Sequence, residues 1–328
     1  MTAGAVPLAL VRRGDLIESV HAGHLVVLAP DGSVRLALGD PDAVIWARSS
    51  LKPWQGAAMV RAGLALDGAA LALACASHSG ERAHLDGIRA ILAGAGLTEA
   101  DLQNTPDLPL GLAAAFDWQR AGFGPTSLTQ NCSGKHAAML ATCVAAGWPR
   151  LDYLAAEHPL QWLIRAEIGR LTGVPVTHAT VDGCGAPLFS TTVVGLARAF
   201  GRVAAAPVRE PNGPAARVAA AMNANPWLVG GVGRDVSRAM AAVPGLVAKD
   251  GADGVYAAGL ADGGCLAFKV LDGGERPRPV LLAAALAVAG VDNDEIRALG
   301  RTPVLGHGRA VGAVLATFGA QDGMSPVR

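Results

Sequence analysis

The stretch ARSSLKP, residues 47–53, places two serines ahead of a lysine in a chain that hardly uses lysine. Of its 27 basic residues only Lys52, Lys135, Lys249 and Lys269 are lysines, and the other 23 are arginines. As solvated surface charges the two types are nearly interchangeable, but only a buried amine gives up its proton readily enough to act as a base. Lys269, in LAFKVL, reads as a compositional remainder, whereas the other three lie beside Ser, Cys, His or Gly in short motif-like stretches. Ser49 and Lys52, three residues apart, share a face of a helical turn, while Ser50 points away from the lysine. Ser49 is thus the candidate nucleophile and Lys52 its base, at a helix N-terminus whose free N–H groups suit a developing oxyanion. Pro53 suits a first helical turn but biases Lys52 away from the α region.

Four more stretches carry reactive side chains. CASHSGE contains Ser77 and Ser79, and Ser79 is expected to cap a helix over 81–95, which leaves Ser77 as a second reactive serine. In NCSGKH and VDGCGAP, Cys132 and Lys135 together with Cys184 have the residue types to hold a soft metal such as zinc, or are simply buried thiols near a lysine. AKDGADG places Lys249 just before a predicted strand, where a solvated turn lysine is the plainer reading.

The elements that must position these residues follow from the rest of the chain. Its 328 residues suit one large α/β unit or one domain with a big insertion. With 51% apolar residues, 16% charged and a formal net charge of zero, it lacks the basic footprint of a protein that binds nucleic acid or an anionic membrane. A small neutral or zwitterionic substrate fits this balance better. So apolar a chain is expected to bury surface between subunits as a homo-oligomer, most simply a homodimer. The opening MTAGAVPLALVRRGD has its arginines after the apolar run, the reverse of a secretory signal, and the run at 280–291 is too short to span a bilayer. A soluble, cytoplasmic protein is expected, with its five unclustered cysteines reduced.

HLVVLAPDGSVRLALGD predicts a hairpin turning at Pro30, Asp31 and Gly32, and DGVYAAGLADGGCLAFKVLDGG a second turning at residues 262–264. VLGHGRAVGAVLATF supplies a late strand, and residues 280–291 a helix before it. Between Lys52 and Gly245 the pattern is mostly helical, in Ala-rich runs that end near Gly or Pro. The expected fold is α+β, a mainly antiparallel sheet assembled from both chain ends with a helical lobe inserted. One catalytic domain, 1–328, would comprise a sheet lobe at about 1–51 and 246–328 and a helical lobe at about 52–245.

Taken in order, ALGDPDAVIWARSSLKPWQ, CASHSGE, NCSGKHAAMLA, HPLQ, VDGCGAP and LVAKDGADGVYAAG resemble the Rhizobium etli type L-asparaginases of the asparaginase II family. The resemblance runs through nearly the whole chain and implies a fold similar to serine β-lactamases and related glutaminases. It further implies two Ser/Lys pairs, Ser49 with Lys52 and Ser77 with Lys249, and a Zn2+ site at Cys132, Lys135 and Cys184 with Asp182 as its neighbouring acid. The expected reaction is hydrolysis of L-asparagine through a serine acyl-enzyme, with Arg48 a candidate for the substrate carboxylate and Ser77 an alternative nucleophile. A glutaminase would use the same acylation chemistry in a different pocket. A β-lactamase or penicillin-binding activity shares Ser-x-x-Lys, but the chain has no clean Ser-Asp-Asn element and that chemistry has no use for NCSGKH. A catalytically silent metal-binding protein on the same scaffold is the rival of a different class.

Overall fold

The computed structural model describes residues 2–319. The chain opens with β1 (Val6–Arg13), β2 (Leu16–Leu28), β3 (Val34–Leu38) and a short β4 (Val44–Trp46). Helices α1 (Lys52–Arg61), α2 (Gly68–Ala74), α3 (Arg82–Gly94), α4 (Leu112–Arg120), α5 (Ser133–Ala146) and α6 (Pro159–Thr172) follow. Strands β5 (Ala179–Val181) and β6 (Pro187–Thr192) then precede α7 (Val193–Arg209), α8 (Pro214–Ala224), α9 (Pro226–Val229) and α10 (Asp235–Ala242). The last part supplies β7 (Val247–Gly251), β8 (Val255–Gly259) and β9 (Cys265–Val270). It ends with α11 (Arg278–Val288), α12 (Asp294–Leu299), β10 (Thr302–Gly306) and β11 (Arg309–Ala316).

Strands from both ends merge into one eight-stranded antiparallel sheet of order β10-β11-β1-β2-β9-β8-β7, with β3 also paired to β2. β2 is the seam. Its first half pairs with β1, and its apolar second half, HLVVL, is buried between β9 and β3. The architecture is therefore α+β, with a mainly antiparallel sheet from both termini and a mostly helical insertion, as the residue pattern implies. Both hairpins form where expected, β2–β3 around Asp31, whose carboxylate accepts from Ser33 N (2.9 Å), and β8–β9 at residues 262–264. Among the described residues no helix is long and apolar enough to cross a membrane.

Four readings change. The first strand is β1, formed from the opening apolar run, which pairs with β2 and β11. The single late strand is a β10–β11 hairpin, whose turn residues His307 and Gly308 both have positive φ (47° and 77°), as a two-residue turn requires. The inserted lobe is not wholly helical: PLFSTT, fully buried, forms β6 and joins β4 and β5 in a separate three-stranded sheet. Short apolar runs carry no period that separates a buried strand from a helix. Finally, α3 starts after Glu81, and Ser79 donates its hydroxyl to Gly230 O (3.0 Å) instead of capping that helix.

Helix α7 packs on β2, β8 and β9 and so holds the inserted lobe on the sheet. Glycine permits the close approach: a Cβ on Gly259 would lie 2.1 Å from Phe200 O and 2.8 Å from Gly201 N. Both obstacles are backbone, so the helix itself must move. Gly259→Ala is expected to cost about 1–3 kcal/mol, read as a lowered urea midpoint with an unchanged m value.

Candidate active site

A 3-10 turn, Arg48–Leu51, carries Ser49 and runs directly into α1, whose first residue is Lys52. Lys52 is helical (φ −58°, ψ −38°), so Pro53 does not displace it from the α region. The turn docks on β7, where a Cβ on Gly251 would meet Ala47 O at 2.8 Å. That contact brings the 49–52 segment to the strand that carries Lys249. Ser50 is buried and spends its hydroxyl on Ala47 O (2.5 Å), whereas Ser49 is half-buried and its hydroxyl makes no hydrogen bond among the described residues. Arg48 adopts φ 53°, a left-handed conformation that is costly for a residue with a Cβ and concentrates at functional sites.

Lys52 does not give its protons to Ser49. It donates to Ala76 O (2.5 Å) and to Ser77 Oγ (2.9 Å). The segment after α2 is held for this contact by Ser77 N donating to Val229 O (3.0 Å), His78 N to Asn131 O (3.2 Å) and Ser79 N to Gly230 O (2.7 Å). Lys249 is fully buried in β7, not in a solvated turn, and donates to Asp250 O (2.8 Å) and to the Asp250 carboxylate. Burial pushes the Lys249 amine down to about 8; Asp250 opposes that shift, and the nearby Lys52 and Arg234 charges add to it.

The thiols meet on the other flank. Gly134, between Cys132 and Lys135, lets α5 press against α2, since a Cβ there would lie 2.3 Å from Leu73 O. Lys135 Nζ reaches Cys184 Sγ (3.2 Å), and Cys132 and Cys184 share one small buried cluster with Ala186. A hydrogen bond from Cys184 puts Cys132 well below the ordinary thiol range, with the Lys52 and Lys135 charges helping against burial, and the same bond raises Cys184. Burial disfavours the charged Lys135 amine, but Cys184, Cys132 and Asp182 override it and hold the ammonium. Among the described residues no group of three or more His, Cys, Asp or Glu side chains is placed to hold a metal. Two sulfurs in one buried cluster, with an amine beside one of them, nevertheless have the donor chemistry for three positions of a tetrahedral zinc.

Asp182 and Arg48, both candidates for substrate contact, face each other, with Arg48 Nε donating to Asp182 Oδ1 (2.9 Å). Burial would raise the Asp182 carboxyl, but Lys135, Arg48 and the Gly183 N–H keep it ionised. The other side of the Arg48 guanidinium holds Asp253, an exposed residue also at positive φ (56°). Three residues here escaped the sequence reading: Asp253, Asp250 and Arg234. Asp250 and Asp253 lie inside the AKDGADG stretch that called attention to Lys249, but Arg234, in GVGRD, has no local signal.

With this geometry in view, a profile of the L-asparaginase II family matches residues 9–316. The chain belongs to that family. Membership makes it a hydrolase acting on amides, with a small-molecule substrate. No curated protein matches the sequence. Solved structures similar to it include a beta-lactamase candidate from Bacteroides dorei, 17% identical, with a TM-score of 0.43 over 82% of this chain and 93% of that one. Another is the Bacillus subtilis glutaminase YbgJ, solved as a covalent complex with 5-oxo-L-norleucine, 17% identical, with a TM-score of 0.32 over 76% and 80%. Mglu in its tris and glutamate form is 16% identical, with a TM-score of 0.38 over 83% of this chain and 60% of that one.

In this L-asparaginase II family member the charges around Lys135 make a direct test of the thiol flank. Removing one partner of a buried ion pair strands the others in low dielectric. Lys135→Met is expected to destabilise the metal-free protein by about 3 kcal/mol, measured by urea denaturation in the presence of chelator.

Proposed function

We propose that the protein is an L-asparaginase of the Rhizobium etli type, hydrolysing L-asparagine to L-aspartate and ammonia through a serine acyl-enzyme. The observation that carries this reading is the pair of buried amines around two serines: Lys52 on Ser77 Oγ at 2.9 Å, and Lys249 lowered to about 8. Two amines close enough to repel favour a state in which one is neutral, which a general base requires.

Ser49, accessible and on the same turn as Lys52, attacks the side-chain amide carbon. A C–O bond forms, and the Ser49 proton passes to Lys52. The C–N bond then breaks, and ammonia leaves with a proton returned from the lysine side. Water adds to the acyl carbon as its proton passes to Lys52, the ester C–O bond breaks with that proton returned to the Ser49 oxygen, and aspartate departs. Ser77, which accepts from Lys52, and Lys249, whose charge acts on that amine, complete the proton relay around Lys52. Arg48 takes the substrate α-carboxylate in place of its Asp253 contact, and Asp182 faces the α-ammonium, so the zwitterion meets one charge of each sign. A second reading makes Ser77 the nucleophile, favoured by its direct hydrogen bond to Lys52, although Ser77 is only 4% exposed.

Zn2+ held by Cys132, Lys135 and Cys184 would, when bound, supply a positive charge that orients the substrate near Asp182. The protein is also proposed to act as a cytoplasmic homodimer; exposed apolar residues such as Leu112, Leu151 and Val208 offer surface for such an association.

Two measurements test the chemistry. Ser49→Ala is expected to lower kcat for ammonia release from L-asparagine by at least about a thousandfold. Unchanged activity in that variant would sink the Ser49 assignment. Mass-spectrometric mapping of the acyl adduct in quenched enzyme assigns the nucleophile, with the label expected on the peptide containing Ser49; a label on the peptide containing Ser77 establishes the second reading.

A further inference from the structure

Behind the two serine–lysine pairs lies a set of buried charges that the reaction as described does not use. Asp250 is 4% exposed, and its carboxylate takes Lys249 on one oxygen and Arg234 on the other. Arg278 stands 3.8 Å away and is itself paired with Asp235. The same Arg234 guanidinium donates through its other terminal nitrogen to Ser77 O (2.8 Å). Arg234 is in turn held where the chain enters α10, on a loop tied down by Val232 N donating to Glu81 Oε1 (2.9 Å).

We propose that Asp250 and Arg234 are positioning residues for the active site: one guanidinium joins the Ser77 backbone to the carboxylate that holds Lys249, and so sets serine and lysine relative to each other. Ser77 and Lys249 are 172 residues apart and belong to different layers, one following a helix of the inserted lobe and the other in the sheet. No direct hydrogen bond joins their side chains among the described residues. Arg234 supplies the link, and its planar fork is what allows two acceptors to be served at a fixed angle.

The charges assign a second task to the pair. Lys249 is faced by Asp250 on its own strand, Lys52 from α1, Arg234 ahead of α10 and the Cys75 thiol at the end of α2, while Arg278 and Asp235 act on Asp250. Asp250 stays ionised despite burial because Lys249, Arg234 and Arg278 surround it. Its negative charge raises the Lys249 amine and the Arg234 charge lowers it, so removing each must move the amine in opposite directions.

The chain has four lysines, so lysine labelled with carbon-13 at the ε position gives four resonances, and Lys249→Arg identifies the relevant one. Asp250→Asn is expected to lower the Lys249 titration midpoint by about one pH unit or more, and Arg234→Gln to raise it by about half a unit or more. The rising limb of kcat/KM against pH should follow both shifts. Arg234→Lys, which keeps the charge but not the fork, should restore the midpoint yet leave kcat reduced by about tenfold or more. Midpoints that stay put or move together in the two charge-removing variants overturn the proposal, as does full kcat in Arg234→Lys. The inference rests on the acyl-enzyme reading only for its kinetic arm: opposite midpoint shifts with an unmoved limb would retain the positioning pair and remove Lys249 from the proton relay. If Asp250→Asn does not fold, the Arg234 variants alone carry the test through midpoint and kcat.

Discussion

Three lysine amines lie within one site at exposures of 0–2%, and most of the surrounding structure serves to make that tolerable. An unpaired buried charge is among the most costly features a fold can contain, so each amine must be paired, hydrogen-bonded or neutral. The three are treated differently. Lys52 gives its protons to a carbonyl and a serine, Lys135 is held charged by a thiol pair and an acid, and Lys249 is lowered by burial against the pull of one carboxylate. One cation type thus takes three roles because its surroundings differ, which arginine, always protonated, does not permit.

The scaffold follows from that requirement. Lys52 begins a helix, Lys135 sits in the first turn of another, and Lys249 lies in a strand at the end of the sheet path. Such elements are rigid, and their relative placement depends on backbone contacts where glycine allows close approach, at Gly134 against α2 and Gly251 against the serine turn. The serine turn packs on β7 and β8, so the same contact anchors that turn on the sheet and builds the site.

Much of this was legible in the residue string. Lysine scarcity pointed to Lys52, Lys135 and Lys249, and the glycine and aspartate turns pointed to two of the hairpins. Helical phase separated Ser49 from Ser50, and in the structure Ser50 is locked on Ala47 O while Ser49 is half-buried. Local signals failed where partners come from elsewhere. A buried strand such as β6 has no period to read, Ser79 looked like a helix cap but bonds to Gly230, and Arg234 stands in a glycine-rich loop with nothing local to mark it.

The amino-acid sequence by itself determined which chemistry is available: which groups titrate, which serines stand near an amine along the chain, and where turns can form, because these depend on residue type and short spacing. Only the tertiary structure decided the pairing. Lys52 meets Ser77 instead of the serine three residues before it, Lys249 meets Asp250, and Arg48 meets Asp182 across 134 residues. A side chain's partner is set by which elements pack together, and its charge by the desolvation and neighbours that packing imposes. Neither quantity has a local representation in the chain.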